Sequence, residues 1–382
     1  MKLGLIGVGQ AGGKLVDALV AYEANSRAEF IADAVAINSA EADLLGLERV
    51  PKDHRVLIGQ TRVKGQGAGA DNELGAELVQ ADIEEVMAAV DEIPVHELDG
   101  FLVAAGLGGG TGSGGAPAIA RELGRRYTEP VYGLGALPGQ DEGRIYALNA
   151  ARSIRTFVRE ADNLLLVDND GWRKQGASVE SEYERFNTDI ARRVGILFSA
   201  GEGATGTVAE SVVDASEIRN TLGTGGVTTI GYATSHIDRP QGGLLSRLSG
   251  SKPEPSDTQN QITSTVRLAT QGRLTLPCEI ASTERALVVV AGPPAYLDRK
   301  GAERSRKWLE EATATVEVRG GDYPVPDSEY IAAVVVLSGV SNAPRIERLK
   351  QTAVETQRSM RDGSDDFADV SSSGDGDMEP LF

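Results

Sequence analysis

From Gly106 to Pro117 the chain reads Gly-Leu-Gly-Gly-Gly-Thr-Gly-Ser-Gly-Gly-Ala-Pro. So many glycines leave the peptide backbone itself as the chemistry. Glycine takes positive φ and close approach without a Cβ penalty, so several N–H groups can turn toward one anion. The run follows the apolar Phe101–Ala105, which predicts a buried strand, and precedes Ala118–Tyr127, which predicts a helix. Flexible glycine linkers are not framed so tightly. A strand, a glycine turn and a helix N-terminus offer oriented amides and the positive end of a dipole to a polyphosphate. No Lys-Ser or Lys-Thr follows the glycines, and Gly13-Lys14-Leu15 lacks the hydroxyl, so this is not a Walker P-loop.

The elements that must position this turn follow from apolar periodicity. Strands are predicted at Lys2–Gly7, Ala34–Asn38, Arg55–Ile58, Phe101–Gly106, Val131–Leu137 and Asn163–Val167. Helical patterns at Gly12–Glu23, Gly75–Val90 and Gly143–Glu160 alternate with them. That alternation predicts an α/β fold with a doubly wound, mostly parallel sheet, whose ligands sit beyond the C-terminal strand ends. A long helix is expected over Glu180–Ser199, with Tyr183, Phe186, Ile190, Val194 and Leu197 forming one apolar stripe.

A second unit of α+β texture follows, with strands expected at Arg273–Ile280, Ala286–Ala291, Thr315–Arg319 and Ile331–Leu337 and a helix near Lys300–Thr313. The Ser/Pro-rich Gly250–Asn260 reads as a mobile loop. From Arg361 onward seven acidic residues face one arginine, which predicts disorder. The apolar end, Met378–Phe382, is either a docking peptide for adaptor proteins or a frayed terminus. The expected organisation is a nucleotide-binding domain over 1–179, a connecting helix over 180–200, an α+β domain over 201–355, and an acidic tail over 356–382.

Composition narrows the function classes. With 382 residues and 41% hydrophobic content the chain suits two packed domains. Its net charge of −18 argues against nucleic acid as a partner. Nine lysines against 29 arginines, on an acidic background, suit either the salt-filled cytoplasm of a halophile or a GC-rich genome. The lone Cys278 excludes an internal disulfide or a thiolate cluster, and His54, His96 and His236 show no metal-ligand spacing. No apolar run reaches membrane-span length and no signal peptide opens the chain, so a cytoplasmic protein is expected.

Two further glycine turns follow strands. Gly7-Val8-Gly9-Gln10-Ala11-Gly12 fits the G-x-G-x-x-G dinucleotide pattern. However, the second strand ends in Asn38 rather than in the acid that grips a ribose, and Asp33 precedes that strand. A nicotinamide-dependent dehydrogenase is therefore a remote alternative, and it leaves the 106–117 run without a task. The other turn is Gly65-Gln66-Gly67-Ala68-Gly69-Ala70-Asp71-Asn72.

Taken together the three turns resemble the tubulin/FtsZ superfamily of GTPases, whose signature is G-G-G-T-G-S-G. Gln10-Ala11-Gly12 is similar to the first turn of tubulins, and Gly65–Asn72 to the G-A-G-A-N segment of FtsZ. The acidic composition, Gln10 and Glu217 make the chain most similar to the haloarchaeal CetZ group, linked to cell shape, with FtsZ proper, another archaeal relative or a non-polymerising GTP-dependent scaffold as the alternatives. The resemblance is motif-specific over about residues 1–220; over 220–355 it rests on domain order. It implies GTP/GDP as ligand, with Mg2+ held mainly by phosphates and water. It implies phosphate contacts from Gly9, Gln10, Ala11, Gly12 and Gly13, from Gly69, Ala70 and Asp71, and from Gly106, Gly108, Gly109, Gly110, Thr111 and Gly112, with Lys14 a further nucleotide contact near the base.

For the ribose the resemblance assigns Glu142, which on its own also suits a helix N-terminal acid. For guanine it assigns Asn169, Tyr183 and Asn187. Tyr183 and Asn187 share a helix face at i, i+4, although the spacing alone also suits a core tyrosine. The family arginine beyond Glu142 is replaced by Tyr146, with Arg144 as a possible substitute, and Lys14 stands where FtsZ has asparagine. Val212-Val213-Asp214-Ala215-Ser216-Glu217-Ile218-Arg219 is similar to the catalytic N-V-D-F-A-D-V-R of FtsZ, with valine for its asparagine. From spacing alone, Asp214 and Glu217 suit an N-cap with an acid at N3. The resemblance makes them catalytic, acting on GTP held by the next copy in a head-to-tail homopolymer.

Overall fold

The computed structural model describes residues 1–26, 28–172, 179–201, 213–237 and 255–372. The first half alternates strand and helix: β1 (Leu3–Val8), α1 (Gly9–Ala24), β2 (Ile31–Asn38), α2 (Glu41–Leu45), β3 (Arg55–Leu57), α3 (Gln60–Val63), α4 (Asn72–Ala81) and α5 (Ile83–Asp91). It continues through β4 (Gly100–Gly106), α6 (Thr111–Arg126), β5 (Val131–Leu137), α7 (Arg144–Glu160) and β6 (Asn163–Asp168). Then come α8 (Val179–Ala200), α9 (Ala215–Leu222), β7 (Val227–His236) and α10 (Pro255–Gln271). The chain closes with β8 (Arg285–Gly292), α11 (Arg299–Thr313), β9 (Val318–Pro324), β10 (Tyr330–Ser338) and α12 (Pro344–Ser372).

One ten-stranded sheet carries both halves, in the order β3-β2-β1-β4-β5-β6-β7-β10-β8-β9. β3 to β7 run parallel; β10 is antiparallel to β7 and to β8. Only Leu164↔Val227 and Leu165↔Thr228 join the two halves through the ladder, yet the cores are continuous. Alternation along β1 sends Leu3 and Leu5 to one face and Ile6 and Val8 to the other, the period of a sheet buried on both sides. The Leu5 face also holds Val334 and Val336 of β10, and the Ile6 face holds Val335 and Leu337.

The long helix α8 sets the polarity of the molecule. Twenty-two residues make it about 33 Å long. Its first turns reach the C-terminal strand ends, while at its far end the Phe198 carbonyl accepts the Met1 amino group at 2.9 Å, beside the start of β1. A Cβ on Gly201 would stand 3.0 Å from both the Met1 nitrogen and Ile218 Cδ1. Thus α9 sits at the edge opposite the strand C-termini.

The structure departs from the sequence reading in identifiable places. The helix expected over Gly75–Val90 breaks at Asp82, whose carboxylate turns away to accept Gly59 N–H at 2.6 Å. Arg273–Ile280 is not a strand. The Thr229 hydroxyl accepts Leu276 N–H at 2.9 Å, so a side chain replaces the ladder partner, and Leu274 keeps a single bridge to Gly231. Val227–His236, for which the sequence reading expects no strand, is a central strand that its β-branched Val227, Thr228, Thr229 and Ile230 favour.

Residues 255–260 of the expected loop begin α10, and residues 250–254 lie outside the described residues. Helix α12 runs to Ser372, past the point where acidic composition predicts disorder, because a helix already anchored by buried Leu349 and Ala353 gains one hydrogen bond per added residue. Residues 373–382, with the apolar tip, lie outside the described residues.

Candidate functional site

At the C-terminal ends of β1, β4, β5 and β6 the structure encloses a cavity of about 670 Å³. That is ample for a nucleotide-sized ligand. Its floor is the start of two helices. α1 begins at Gly9, in the left-handed region at φ 71°, and α6 begins at Thr111. Neither carries a side-chain cap or an acid in its first turn. First-turn amides have no intrahelical acceptor, and here nothing of the protein's own charge competes for them. Two uncapped N-termini facing one cavity make an anion site.

The glycines divide into two kinds. A Cβ on Gly109 would meet nothing within 4 Å, and the same holds for Gly69, so these backbones face open cavity. At Gly110 a Cβ would stand 2.8 Å from Ala68 Cβ and from the Asp71 carbonyl. Gly110 is therefore bare so that the Gly65–Asn72 turn can pack against it. Likewise a Cβ on Gly12 would come 2.1 Å from the Ala104 carbonyl, which is how α1 lies directly on β4.

Gly65–Asn72 closes the far wall. Gly67 N–H donates to Ser39 O at 3.0 Å and Glu41 N–H to Gly65 O at 3.0 Å, tying the turn to the end of β2. Ser39 and Thr111 share a buried hydroxyl hydrogen bond of 2.6 Å. Ala70 is held at φ 61°, a strained conformation for a side chain with a Cβ. The amide of buried Asn149, on α7, donates to Ala70 O at 2.7 Å and to Gly108 O at 2.9 Å. One side chain thus spaces two glycine turns.

Of the residues named from the sequence, the cavity is lined by Gly9, Gln10, Ala11, Lys14, Gly69, Ala70, Gly106, Gly108, Gly109, Gly110, Thr111, Gly112, Glu142, Asn169, Tyr183 and Asn187. Gly12 and Gly13 lie buried beneath it. Asp71 is not on the wall; it caps α4, its carboxylate accepting Leu74 N–H at 3.0 Å. Tyr183 leaves the apolar stripe of α8, which starts at Phe186, and stands exposed at the mouth, its hydroxyl donating to Glu142 Oε1 at 3.4 Å. Tyr146 lines the wall and Arg144 does not. Asn169 Oδ1 is buried with no hydrogen-bond partner among the described residues, which suits an acceptor for a ligand donor.

Sequence reasoning missed Asn38, Ser39, Asp43, Asn149 and Arg345. Asn38, where a dinucleotide site would place an acid, instead accepts Ser39 N–H at 2.8 Å and donates to Asp43 at 3.1 Å. Asn149 and Arg345 reach the site only through tertiary folding, and no local motif marks them.

Asp214, at the N-cap of α9, and Glu217, in its first turn, lie across the molecule from the cavity. Asp214 is exposed and caps the helix, accepting Glu217 N–H at 3.0 Å and the Ser216 hydroxyl at 2.5 Å. The Ser216 hydroxyl and then the Glu217 amide hold its carboxyl below the usual aspartate value. Glu217 is half-buried; burial and then the Asp214 charge push its carboxyl up, against Arg319 and Arg306. Its Oε2 has no hydrogen-bond partner among the described residues.

A parallel sheet with nucleotide-type glycine turns, a spanning helix and acids at the far edge defines a tubulin-like protein. The family model for the Tubulin/FtsZ family GTPase domain matches residues 2–177, and that for the tubulin-like CetZ C-terminal domain matches residues 176–355. The chain is 62% identical to tubulin-like protein CetZ3 of Haloferax volcanii, over 100% of both chains. It superposes on the GDP-bound monomer of CetZ1 from Haloferax volcanii with a TM-score of 0.84 at 58% identity, over 94% of this chain and 100% of that one. For the GTPgS-bound protofilament of CetZ2 the values are 0.85 and 44%, over the same shares. The chain belongs to the CetZ group of the tubulin/FtsZ family.

Proposed function

We propose that the chain is a cytoskeletal GTPase that holds GTP in this cavity, polymerises head to tail, and hydrolyses the nucleotide where two copies meet. The observation that carries this is the separation of the parts. The anion-binding turns lie at one sheet edge, and the acids lie at the other, beyond the far end of α8. No chain can bring its own Glu217 to its own cavity, whereas a second copy stacked end to end can. The GDP-bound monomer and the GTPgS-bound protofilament of the relatives support both halves of this reading. A heterologous contact of this kind does not close, so it yields a filament.

In this reading the first-turn amides of α1 and α6 bind the phosphates and Lys14 adds positive charge. Gly69 and Ala70 close over the terminal phosphate. Glu142 binds the ribose, Tyr183 stacks on the base, and Asn169 and Asn187 hydrogen-bond to it. Asp214 and Glu217 of the next copy orient the water that attacks the terminal phosphorus, while GDP leaves with the bridging oxygen. Phosphoryl transfer asks for positioning and charge stabilisation more than covalent help.

Among the described residues no three Asp, Glu, His or Cys side chains group as a metal cage. Mg2+ would be held mainly by phosphate oxygens and water, with Asp43 and Gln66 among the oxygen-bearing side chains that line the cavity. The ion would neutralise charge developing on the phosphates. No helix among the described residues is long and apolar enough to cross a membrane. We place the protein in the cytoplasm, serving cell shape, with Met378–Phe382 a docking peptide for adaptors.

GTPase rate against protein concentration, in high-potassium buffer with sedimentation in parallel, tests the reading. A rate per subunit that climbs above a threshold together with pelletable protein is the expected result. Turnover independent of concentration would overturn it.

A further inference from the structure

The base end of the cavity is held from behind by a residue of the other half of the chain. Arg345, at the second position of α12, is buried at 4% exposure. Its guanidinium donates from Nη2 to Pro138 O at 2.6 Å, and it stands 3.3 Å from Asp168 Oδ1 and 3.3 Å from Asp170 Oδ2. Pro138 lines the cavity after β5, and Asp168 and Asp170 flank Asn169 after β6. Asp170 also accepts Gln140 N–H at 3.1 Å, and Asp168 N–H donates to Thr275 O at 2.7 Å. Two wall segments from different strands therefore converge on one side chain, and Asn169 sits between two of its partners.

We propose that Arg345 is a positioning residue that sets the gap between the Pro138 wall and Asn169, and thereby the preference of the cavity for guanine. The inference rests on the reading of the cavity as a guanine-nucleotide site. Its physical basis is the fork. A planar guanidinium bonds several acceptors in fixed directions, and a lysine ammonium supplies the charge without the fork. The cation stands against both carboxylates, Asp168 and Asp170, on either side of Asn169 and offsets their mutual repulsion. Burial pushes the Asp168 carboxyl up against the pull of Arg345. Asn169 Oδ1 then waits, unpartnered, at a fixed place for the donor edge of a base. An amide so held discriminates strongly, because a base lacking the donor leaves it unpaired.

The test is binding of GDP and of ADP to the full chain and to Arg345→Lys, alongside KM and kcat for GTP. Arg345→Lys is expected to weaken GDP binding and to narrow the GDP-over-ADP preference, each about tenfold, raising KM with kcat unchanged at saturation. Unaltered preference in Arg345→Lys, with wild type selective for GDP, overturns this inference alone. A lower kcat with unaltered preference does the same, since it marks a merely structural role. Wild type that binds neither nucleotide overturns the functional reading instead. Should Arg345→Lys not fold, Asp170→Asn weakens one arm of the clamp at its more accessible partner. A preference unaltered there also overturns the proposal.

Discussion

The carboxylate of Asp214 accepts the backbone N–H of Glu217 at 3.0 Å. The two acids are thus joined through a helix cap, and that cap is compatible with the catalytic role proposed for them. The cap favours the ionised form of Asp214 and satisfies the first turn of α9. Glu217, one turn in, keeps a carboxylate oxygen without a hydrogen-bond partner among the described residues. A buried oxygen left in that state suits a group whose partner arrives with another subunit.

Asp214→Asn separates the two roles. Asparagine caps as well as aspartate, whereas alanine costs about 1 kcal/mol. Asp214→Asn should therefore melt near wild type and lose most of its GTPase rate; Asp214→Ala should lose rate and stability together. Thermal melts with rates at saturating GTP check this.

The stability difference between wild type and Asp214→Ala should depend on pH. The Asp214 carboxyl is lowered in the folded chain, so its contribution is present above the unfolded aspartate value. It is lost as pH falls through the folded value. Melting curves across the acid range should converge; a gap that widens toward low pH would contradict the cap assignment.

Glu217→Gln should bind GTP like wild type and lose about a hundredfold in turnover, the scale of a removed acid–base group. Filaments should persist longer after GTP is limited, read by light scattering. Unchanged turnover would remove Glu217 from the mechanism.

Gly109→Val and Gly114→Val should fail differently. A side chain at Gly109 projects into open cavity, so the chain should fold and lose nucleotide affinity. At Gly114 a Cβ would lie 2.0 Å from the Asn72 carbonyl, so soluble, folded protein is not expected. Circular dichroism and nucleotide binding distinguish the two.

Asn149→Leu should strand the carbonyls of Ala70 and Gly108. Each lost donor leaves a polar group to be satisfied, at about 1–3 kcal/mol for a buried one. Weaker GTP binding with a lower melting temperature is expected, since Ala70 loses the bond that holds its left-handed conformation.

Much of this was legible along the chain because it is local. The run Gly106–Pro117 declared its strand, turn and helix, since glycine density between an apolar run and a helical pattern has few structural meanings. Alternation of apolar strands and amphipathic helices gave the parallel first half. The i, i+3 acids at Asp214 and Glu217 announced a helix start. Tertiary structure decided what long-range contact controls: that Gly110 is bare for Ala68 and Asp71 while Gly109 faces the cavity, and that Tyr183 stands at the mouth rather than in the core. It also decided that β7 completes one sheet through both halves, and that Asn149 and Arg345 brace turns 41 and 207 residues away in sequence. Backbone conformation is chosen among neighbours, so residue type reveals it. A side chain's partner is chosen by packing, and packing exists only once the chain has folded.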